Sequence, residues 1–582
     1  MLPGLESIEK DGAPSGGDPL IWWSRRASAV VVIALFVFAI GVPLTNLDLE
    51  GSQHAAFFFL FQDVYFLPLL LVPLLVRPVP DEGRCPRAAP IAVRGSVGPT
   101  LLAASLGFVC WIGHYIVLGG YDLSRDEQMA NFDAYIFAHG HTMWPISAAW
   151  RPFADALNQR FILPIGVHQA WVSAYLPVNA AFRAAIGSVG DAALTGPLFV
   201  VLGALALWRI GLRLWPESPW SRLVALVLYA GSAQVVLTGM TAFAMSAHLG
   251  LDLLWLALFL RGGAPARAGT VGIGFLATGL HQPLFHPLFV LPFLDVLRRQ
   301  RRWRLLAYYL VAYGLIGAFW LAWPVWMSAH GTPAPAAAGV GYLNRLLHTV
   351  QPPDVKAMWT MALNLLRFIT WQHLLLLPLL MLGVFGSRND PITRALAIGF
   401  VLPVLVMAII LPLQGHGWGY RYLHGVIGNA CLLGGYGWRW LEMRRLTLRR
   451  PFLWTSAVTV LVVIPAHAVL AYRWDRPYVM VDRAMASSKA DLIVVEDGAV
   501  PWGQDLVVNR PDLSNRPIRL RGSALRPEDI AVLCDGRSIA FFGRSQLHAI
   551  DELLGTDEVP TSTGQDELEA AARQANCTVV RP

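Results

Sequence analysis

Eleven stretches of this chain stay apolar for about 17 to 25 residues, long enough for a helix to cross the roughly 30 Å hydrocarbon core of a bilayer. They fall at about 27–45, 55–77, 98–118, 191–214, 220–239, 241–260, 303–328, 364–386, 393–413, 424–441 and 452–472. Lipid offers backbone amides no water, so only helices that close their own hydrogen bonds, or a sealed barrel, can span it; runs of this length suit helices. A further run, about 267–298, is too long for one ordinary crossing and is interrupted by "HQPLFHP". Pro283 and Pro287 cannot continue a helix ladder unaided, so this run reads as two short helices, and eleven plus two gives thirteen crossings. The expected fold is an all-α polytopic membrane protein. A composition that is 55% hydrophobic and 14% charged agrees, and 22 Trp fit long water–lipid interfaces.

Loop charge tests the count. Arg25 and Arg26, the stretch 77–94, Arg261 and Arg267, "RRQRRWR", "GSRNDPITR" and "RRLTLRR" all fall on one side of the membrane only if 267–298 crosses twice. The excess of arginine marks that side as cytoplasmic. The net charge of +7 is then a topology signal rather than a nucleic-acid footprint, and no basic low-complexity arm is present. Residues 1–26 read as a cytoplasmic segment without a cleavable leader, and 27–472 as the membrane domain. The other face collects the loop 119–190, the turn 281–286, the loop at about 329–363, the turn 415–425 and everything after about 473. The predominance of Arg over Lys suits a bacterial inner membrane.

Residues 473–582 change character. Short β-rich runs, "DLIVVED", "DLVVN", "IAVLC" and "SIAFF", alternate with polar stretches and a helical pattern at "SQLHAIDELLG", which predicts a small extracytoplasmic α/β domain. Cys534 and Cys577 each lie beside a predicted strand and are a disulfide candidate in an oxidising compartment. Cys85, Cys110 and Cys431 read as cytoplasmic or core thiols.

The segment "GGYDLSRDEQMANFDAYIFAHG", 119–140, sets an acidic pair at the edge of a span. "SRDE" matches a capping box in which Glu127 reaches back to the Ser124 amide. Asp126 has no such structural duty and is the candidate general base; Glu127 is the second candidate. Met129, Phe132, Tyr135 and Ile136 recur at helical spacing, as expected of a helix lying on the membrane surface.

A second cluster, "GHGWGYRYLHG", crowds Trp418, Tyr420, Arg421, Tyr422 and His424 into the short turn 415–425. An aromatic belt with a snorkelling arginine would give the same composition. The functional reading makes Arg421 a phosphate ligand, since its guanidinium fork stays charged, with the surrounding aromatics and His424 lining a substrate site. At the helix break, His281 and His286 are either satisfied at the interface of a Pro-kinked helix pair, or bind substrate, or join Asp126 or Glu127 around a divalent metal. These four residues have no metal-motif spacing, and no other cofactor is indicated. The segment 331–354, with Tyr342, Leu346 and Leu347, is a candidate cover or a plain surface loop. Asp63, His114, His248, Asp252 and Asp295 lie inside spans, where a charge costs roughly 2.5–3.5 kcal/mol and needs a partner.

Together, an external loop opening with "RDEQMANFDAYIFAHG", about a dozen spans with a short pair midway, "MTAFAMSAHLGLDLL", a late "GWGYRYLHG" turn and a C-terminal domain resemble the GT-C superfamily of membrane glycosyltransferases. The likeness covers most of 98–472. It implies transfer of a sugar from a polyprenyl-phosphate donor to a hydroxyl of a lipid, polysaccharide or protein, with Asp126 in the position of the usual base and inversion at the anomeric carbon. Some members of that superfamily bind a metal. One departure stands out: the acidic loop follows the third span rather than the first. The alternative is a flippase or transporter of a lipid-linked substrate that uses Asp63 and Asp252 inside the membrane.

Overall fold

A computed structural model describes residues 57–72, 76–81, 95–330, 354–498, 503–554 and 563–581, with Arg26, Ala29 and Ile33 from the first expected span. The rest of that span, Cys85 and the segment 331–353 with its candidate cover lie outside the described residues.

Ahead of the C-terminal sheet, the described residues form α1 (Val97–Ile116), α2 (Arg125–Ala138), α3 (Val178–Val189), α4 (Thr195–Leu214), α5 (Pro219–Ala230), α6 (Ala233–Gly239), α7 (Met245–Arg261), α8 (Ala264–Thr278), α9 (Phe285–Arg299), α10 (Trp303–Ser328), α11 (Val355–Thr370), α12 (Leu376–Gly386), α13 (Pro391–Ile410), α14 (Ile427–Met443), α15 (Arg449–Val458) and α16 (Ile464–Ser487). Among the described residues, five helical stretches are long and apolar enough to cross a membrane: α1, Ala192–Leu214, α10, α13 and Arg449–Ser487. The pair α5 and α6, bent by 54°, makes a sixth if taken as one broken span. The break expected in 267–298 falls at 279–284, between α8 and α9.

The run 364–386 is corrected by the structure. It is not one continuous helix, because α11 stops at Thr370 and α12 starts at Leu376. Between them Trp371 Nε1 donates to Asp63 and the Leu375 amide donates to His373 Nδ1, so side chains take over where the helical ladder lapses. At the centre, α14 is buried along nearly its whole length. It meets α12 so closely that a Cβ at Gly437 or Gly383 would strike a backbone carbonyl oxygen of the facing helix, the small-residue packing expected between helices in lipid.

The helical stretch that holds the last expected span runs on past 472. Helix α16 continues to Ser487 and leads into β3 (Leu492–Val495), β4 (Ile518–Arg521), β5 (Ser538–Phe542) and β6 (Thr578–Val579), numbered after the loop hairpin β1 (Trp144–Pro145) and β2 (Ala170–Trp171). The C-terminal sheet has the order β4-β3-β5-β6, with every neighbour parallel. Its central strands are buried and rich in Val, Ile, Leu and Phe, as a sheet covered on both faces requires. Cys534 and Cys577 are joined as a disulfide, with their Cα atoms 5.7 Å apart.

A second correction concerns the apolar face of α2, which lies against protein rather than membrane. Met129, Phe132 and Ile136 share one core with Trp171 of the hairpin and with Leu492, Val494, Ile518 and Leu520 of the sheet. Amphipathic periodicity specifies that a face must be buried and is silent about its cover. Polar contacts seal the same seam: Gln128 Nε2 donates to the Asp505 carbonyl at 2.7 Å, Asn158 Nδ2 to that of Gln504 at 2.8 Å, and Tyr135 to Asp512 at 2.8 Å.

Candidate active site

Helix α2 starts where the sequence places it. Ser124 is the N-cap in extended backbone and the capping box is complete. Glu127 Oε2 accepts from the Ser124 amide at 3.1 Å and from its hydroxyl at 2.8 Å. Glu127 is buried, and burial followed by the neighbouring Asp122 carboxylate pushes its pKa up to about 8. The capping role expected of Glu127 from the sequence is present in the structure. Glu127→Gln is expected to change transfer by less than about threefold, under 1 kcal/mol of barrier, whereas Glu127→Ala should cost about 1 kcal/mol of stability through the lost cap. Thermal unfolding and initial-rate assays on the two variants measure both.

One residue earlier, the cap turns Asp126 the other way. Its Oδ2 accepts from Arg421 Nη1 at 2.6 Å, and its Oδ1 from the Tyr175 hydroxyl. Tyr175 stacks on His281, with ring centroids 4.1 Å apart. Burial would raise the Asp126 pKa, but the Arg421 guanidinium, then His281 and the Tyr175 hydroxyl, outweigh it and hold the carboxyl below its ordinary value. Asp126 is thus a fixed anion. His281 is pushed down to about 4, mainly by burial, and is neutral at physiological pH.

The turn that presents Arg421 is fastened by buried amides. Gln414 accepts from the Arg421 backbone amide at 3.0 Å and donates to the Gly419 carbonyl at 2.8 Å. Gln234 donates to the Tyr420 carbonyl at 2.8 Å and accepts from Gln372 at 3.1 Å. Gly419 is needed here: its φ of +68° disfavours a side chain, and a Cβ would press on Gln234. The guanidinium lies over the Phe243 ring at 5.1 Å and the Tyr422 ring at 5.7 Å, while its Nε is buried without a hydrogen-bond partner among the described residues. Two of the five donors of such a fork thus stand differently: one is spent on Asp126 and another is unspent.

Other expected site residues fall in different places. Trp418 and Tyr420 are buried supports of the turn; Trp418 packs edge-on to His416, and the Tyr420 hydroxyl meets Met361 Sδ at 3.6 Å. Tyr422 stacks on Phe285 at 5.9 Å beside Arg421. His286 is corrected: it does not reach Asp126, because Nδ1 pairs with Asp252 Oδ1 at 2.5 Å and Nε2 with the Tyr313 hydroxyl at 2.8 Å. His424 is fully buried, away from the acid, with neither ring nitrogen hydrogen-bonded among the described residues. With Glu127 capping a helix and His286 bonded to Asp252, the metal donors considered from sequence do not converge. Among the described residues, no three His, Cys, Asp or Glu side chains group to hold a metal ion.

Asp63 and Asp252, the acids of the transporter alternative, both have partners. Asp252 has His286, while Asp63 meets Arg367 Nε at 2.9 Å, Thr370 at 3.1 Å and Trp371 at 2.5 Å. Arg367 was open to sequence reading, since it is an arginine inside the run 364–386 and so demands a partner. Buried Gln234 and Gln372 carry the same signal. Tyr175 carries none, sitting in an unremarkable loop segment. A cleft beside Asp126, of about 20 Å³, is lined by Tyr175, Asn179, Phe243, Leu280 and His281 among others. That is about the space one water needs.

No protein-family model matches this chain, and no curated protein matches it. Two solved structures of ArnT from Cupriavidus metallidurans, one bound to undecaprenyl phosphate and one in the apo state, resemble it with a TM-score of 0.46 and 13% sequence identity over 80% of this chain and 90% of theirs.

Proposed function

We propose that the protein is a membrane glycosyltransferase that moves a sugar from a polyprenyl-phosphate donor to an acceptor hydroxyl. One observation carries this reading: Asp126 and Arg421, 295 residues apart in the chain, meet at 2.6 Å in a buried setting. A fixed carboxylate beside a fixed guanidinium is what a single displacement at a sugar phosphate requires. Asp126 takes the proton of the acceptor hydroxyl as its oxygen attacks the anomeric carbon. The bond from that carbon to the phosphate oxygen breaks, its electron pair leaves with the lipid phosphate, and Arg421 stabilises the charge that develops there. Phosphate is a good leaving group, so no general acid is needed, and one displacement inverts the anomeric centre.

The ion pair also gives binding a role. A donor phosphate competes with Asp126 for the Arg421 fork; as it wins a share, Oδ2 is released and becomes more basic when the acceptor needs a base. In the same reading the thirteen crossings place this site, the 119–190 loop and the C-terminal domain on the extracytoplasmic face of an inner membrane. The acceptor is a lipid, polysaccharide or protein.

The test offers radiolabelled polyprenyl-phosphate sugars to the purified protein in detergent with membrane-extract acceptors. Transfer of label is expected, with Arg421→Gln slower by about 10²–10³-fold, the cost of one oxyanion donor. If no donor yields label while reconstituted vesicles translocate a lipid-linked sugar, the flippase alternative replaces this reading.

A further inference from the structure

Helix α8 leads toward the Asp126 site and α9 leads away from it, each 15 residues long. Their far ends therefore lie about 22 Å along the helix axis from the 279–284 turn. At that remote end the structure has a cavity of about 810 Å³, lined by Arg267, Arg301, Arg302, Arg304, Trp303 and Tyr308, with no carboxylate in its wall. The neighbouring acid, Asp295, is spent on other residues: Arg298 at 2.7 Å and Arg299 at 2.5 Å. Arg267 Nε is buried without a hydrogen-bond partner among the described residues. Four arginines thus line one concavity, and none of them forms a salt bridge among the described residues.

What adjoins the cavity indicates the kind of anion. From Tyr308, the residues Val311, Leu315 and Phe319 follow at helical spacing down one face of α10, and all four are exposed, Leu315 at 69%. Trp303 at the rim is the residue type that settles at headgroup level. A small phosphate would satisfy the arginines and ignore this stripe, whereas an amphiphile uses both.

We propose that this cavity is a binding site for an anionic phospholipid, its phosphodiester held by Arg301, Arg302 and Arg304 and an acyl chain lying along the Tyr308–Phe319 face. The site is independent of the transfer reaction at Asp126. Basic pockets between spanning helices suit such headgroups, and each arginine near the surface contributes about 1 kcal/mol, roughly fivefold.

Native mass spectrometry of the full chain, released from neutral detergent with equimolar phosphatidylglycerol and phosphatidylcholine, tests this. The wild type should retain phosphatidylglycerol in preference. Arg304→Gln should lower that preference about fivefold, and the triple Arg301→Gln/Arg302→Gln/Arg304→Gln change should lower it about 10²-fold. Arg298→Gln/Arg299→Gln, which removes the acid-paired arginines, should leave it in place. These are surface arginines, and an unfolding curve for each variant checks that it folds. Equal retention of the two lipids by wild type, a preference that survives the triple change, or displacement of the lipid by millimolar glycerol phosphate would each overturn the proposal.

Discussion

Asp126→Asn is expected to slow sugar transfer by about 10²–10⁴-fold, the range a positioned general base contributes, while leaving donor binding within a few fold. The substitution preserves shape, but its single amide oxygen can accept from only one of Arg421 and Tyr175, which bond to different oxygens of Asp126. It removes the charge, one acceptor and the capacity to take a proton. The pH profile gives a sharper version. The carboxyl lies below its ordinary 3.8 in the free protein, chiefly because Arg421 faces it. The stability it contributes is therefore present above that value and lost as pH falls through the folded pKa. The acid limb of kcat/KM, which reports the free enzyme, should fall below 3.8, and the limb of kcat should lie higher, because bound donor phosphate draws Arg421 away. Coincident limbs would mean that the phosphate and Asp126 do not share Arg421. An Asn variant as fast as wild type would remove Asp126 from the chemistry.

Arg367→Met should produce the largest loss of stability, about 3–5 kcal/mol, the usual cost of stripping one partner from a buried ion pair. Arg367 and Asp63 are both fully buried, and the guanidinium also donates to Gln62 at 2.8 Å and to the Gly417 carbonyl at 3.1 Å. Removing it leaves the Asp63 carboxylate with hydroxyl and indole donors but no counter-charge. Asp63→Leu combined with Arg367→Met should recover much of the loss, because the double change leaves no uncompensated ion. Chemical or thermal unfolding in detergent measures both. Gly417 belongs to the turn that carries Arg421, so the single variant should also lose transfer in proportion to the disturbance of that turn. The transporter alternative expects the reverse pattern: Asp63→Asn would abolish transport while the fold kept its stability.

These networks mark the division between what could be read along the chain and what could not. The cap at Ser124 and Glu127 was legible because a capping box is a four-residue event fixed by local backbone geometry. The break at 279–284 was legible for the same reason: a proline ends a ladder wherever the rest of the chain lies. The role of Glu127 was less so, since a buried acid can cap, catalyse or do both until its hydrogen bonds are seen. His286 stays open between interface and site in the sequence because a histidine at a helix break faces whichever neighbour the packing supplies, and here that neighbour is Asp252. The apolar face of α2 was visible as periodicity, while its burial under the C-terminal sheet depended on contacts more than 300 residues away, such as Gln128 to Asp505.

The sequence by itself determined the helical membrane class, the start of α2, the paired short helices and the candidacy of Asp126 and Arg421. Each of these follows from run length, spacing or residue chemistry within a few turns of chain. Only the tertiary structure decided that Asp126 and Arg421 are partners, that Tyr175 completes their site, and that Asp63 is neutralised by Arg367. Such pairings arise when helices distant in sequence pack and exclude water, and a buried charge then takes whichever opposite charge the packing brings within reach.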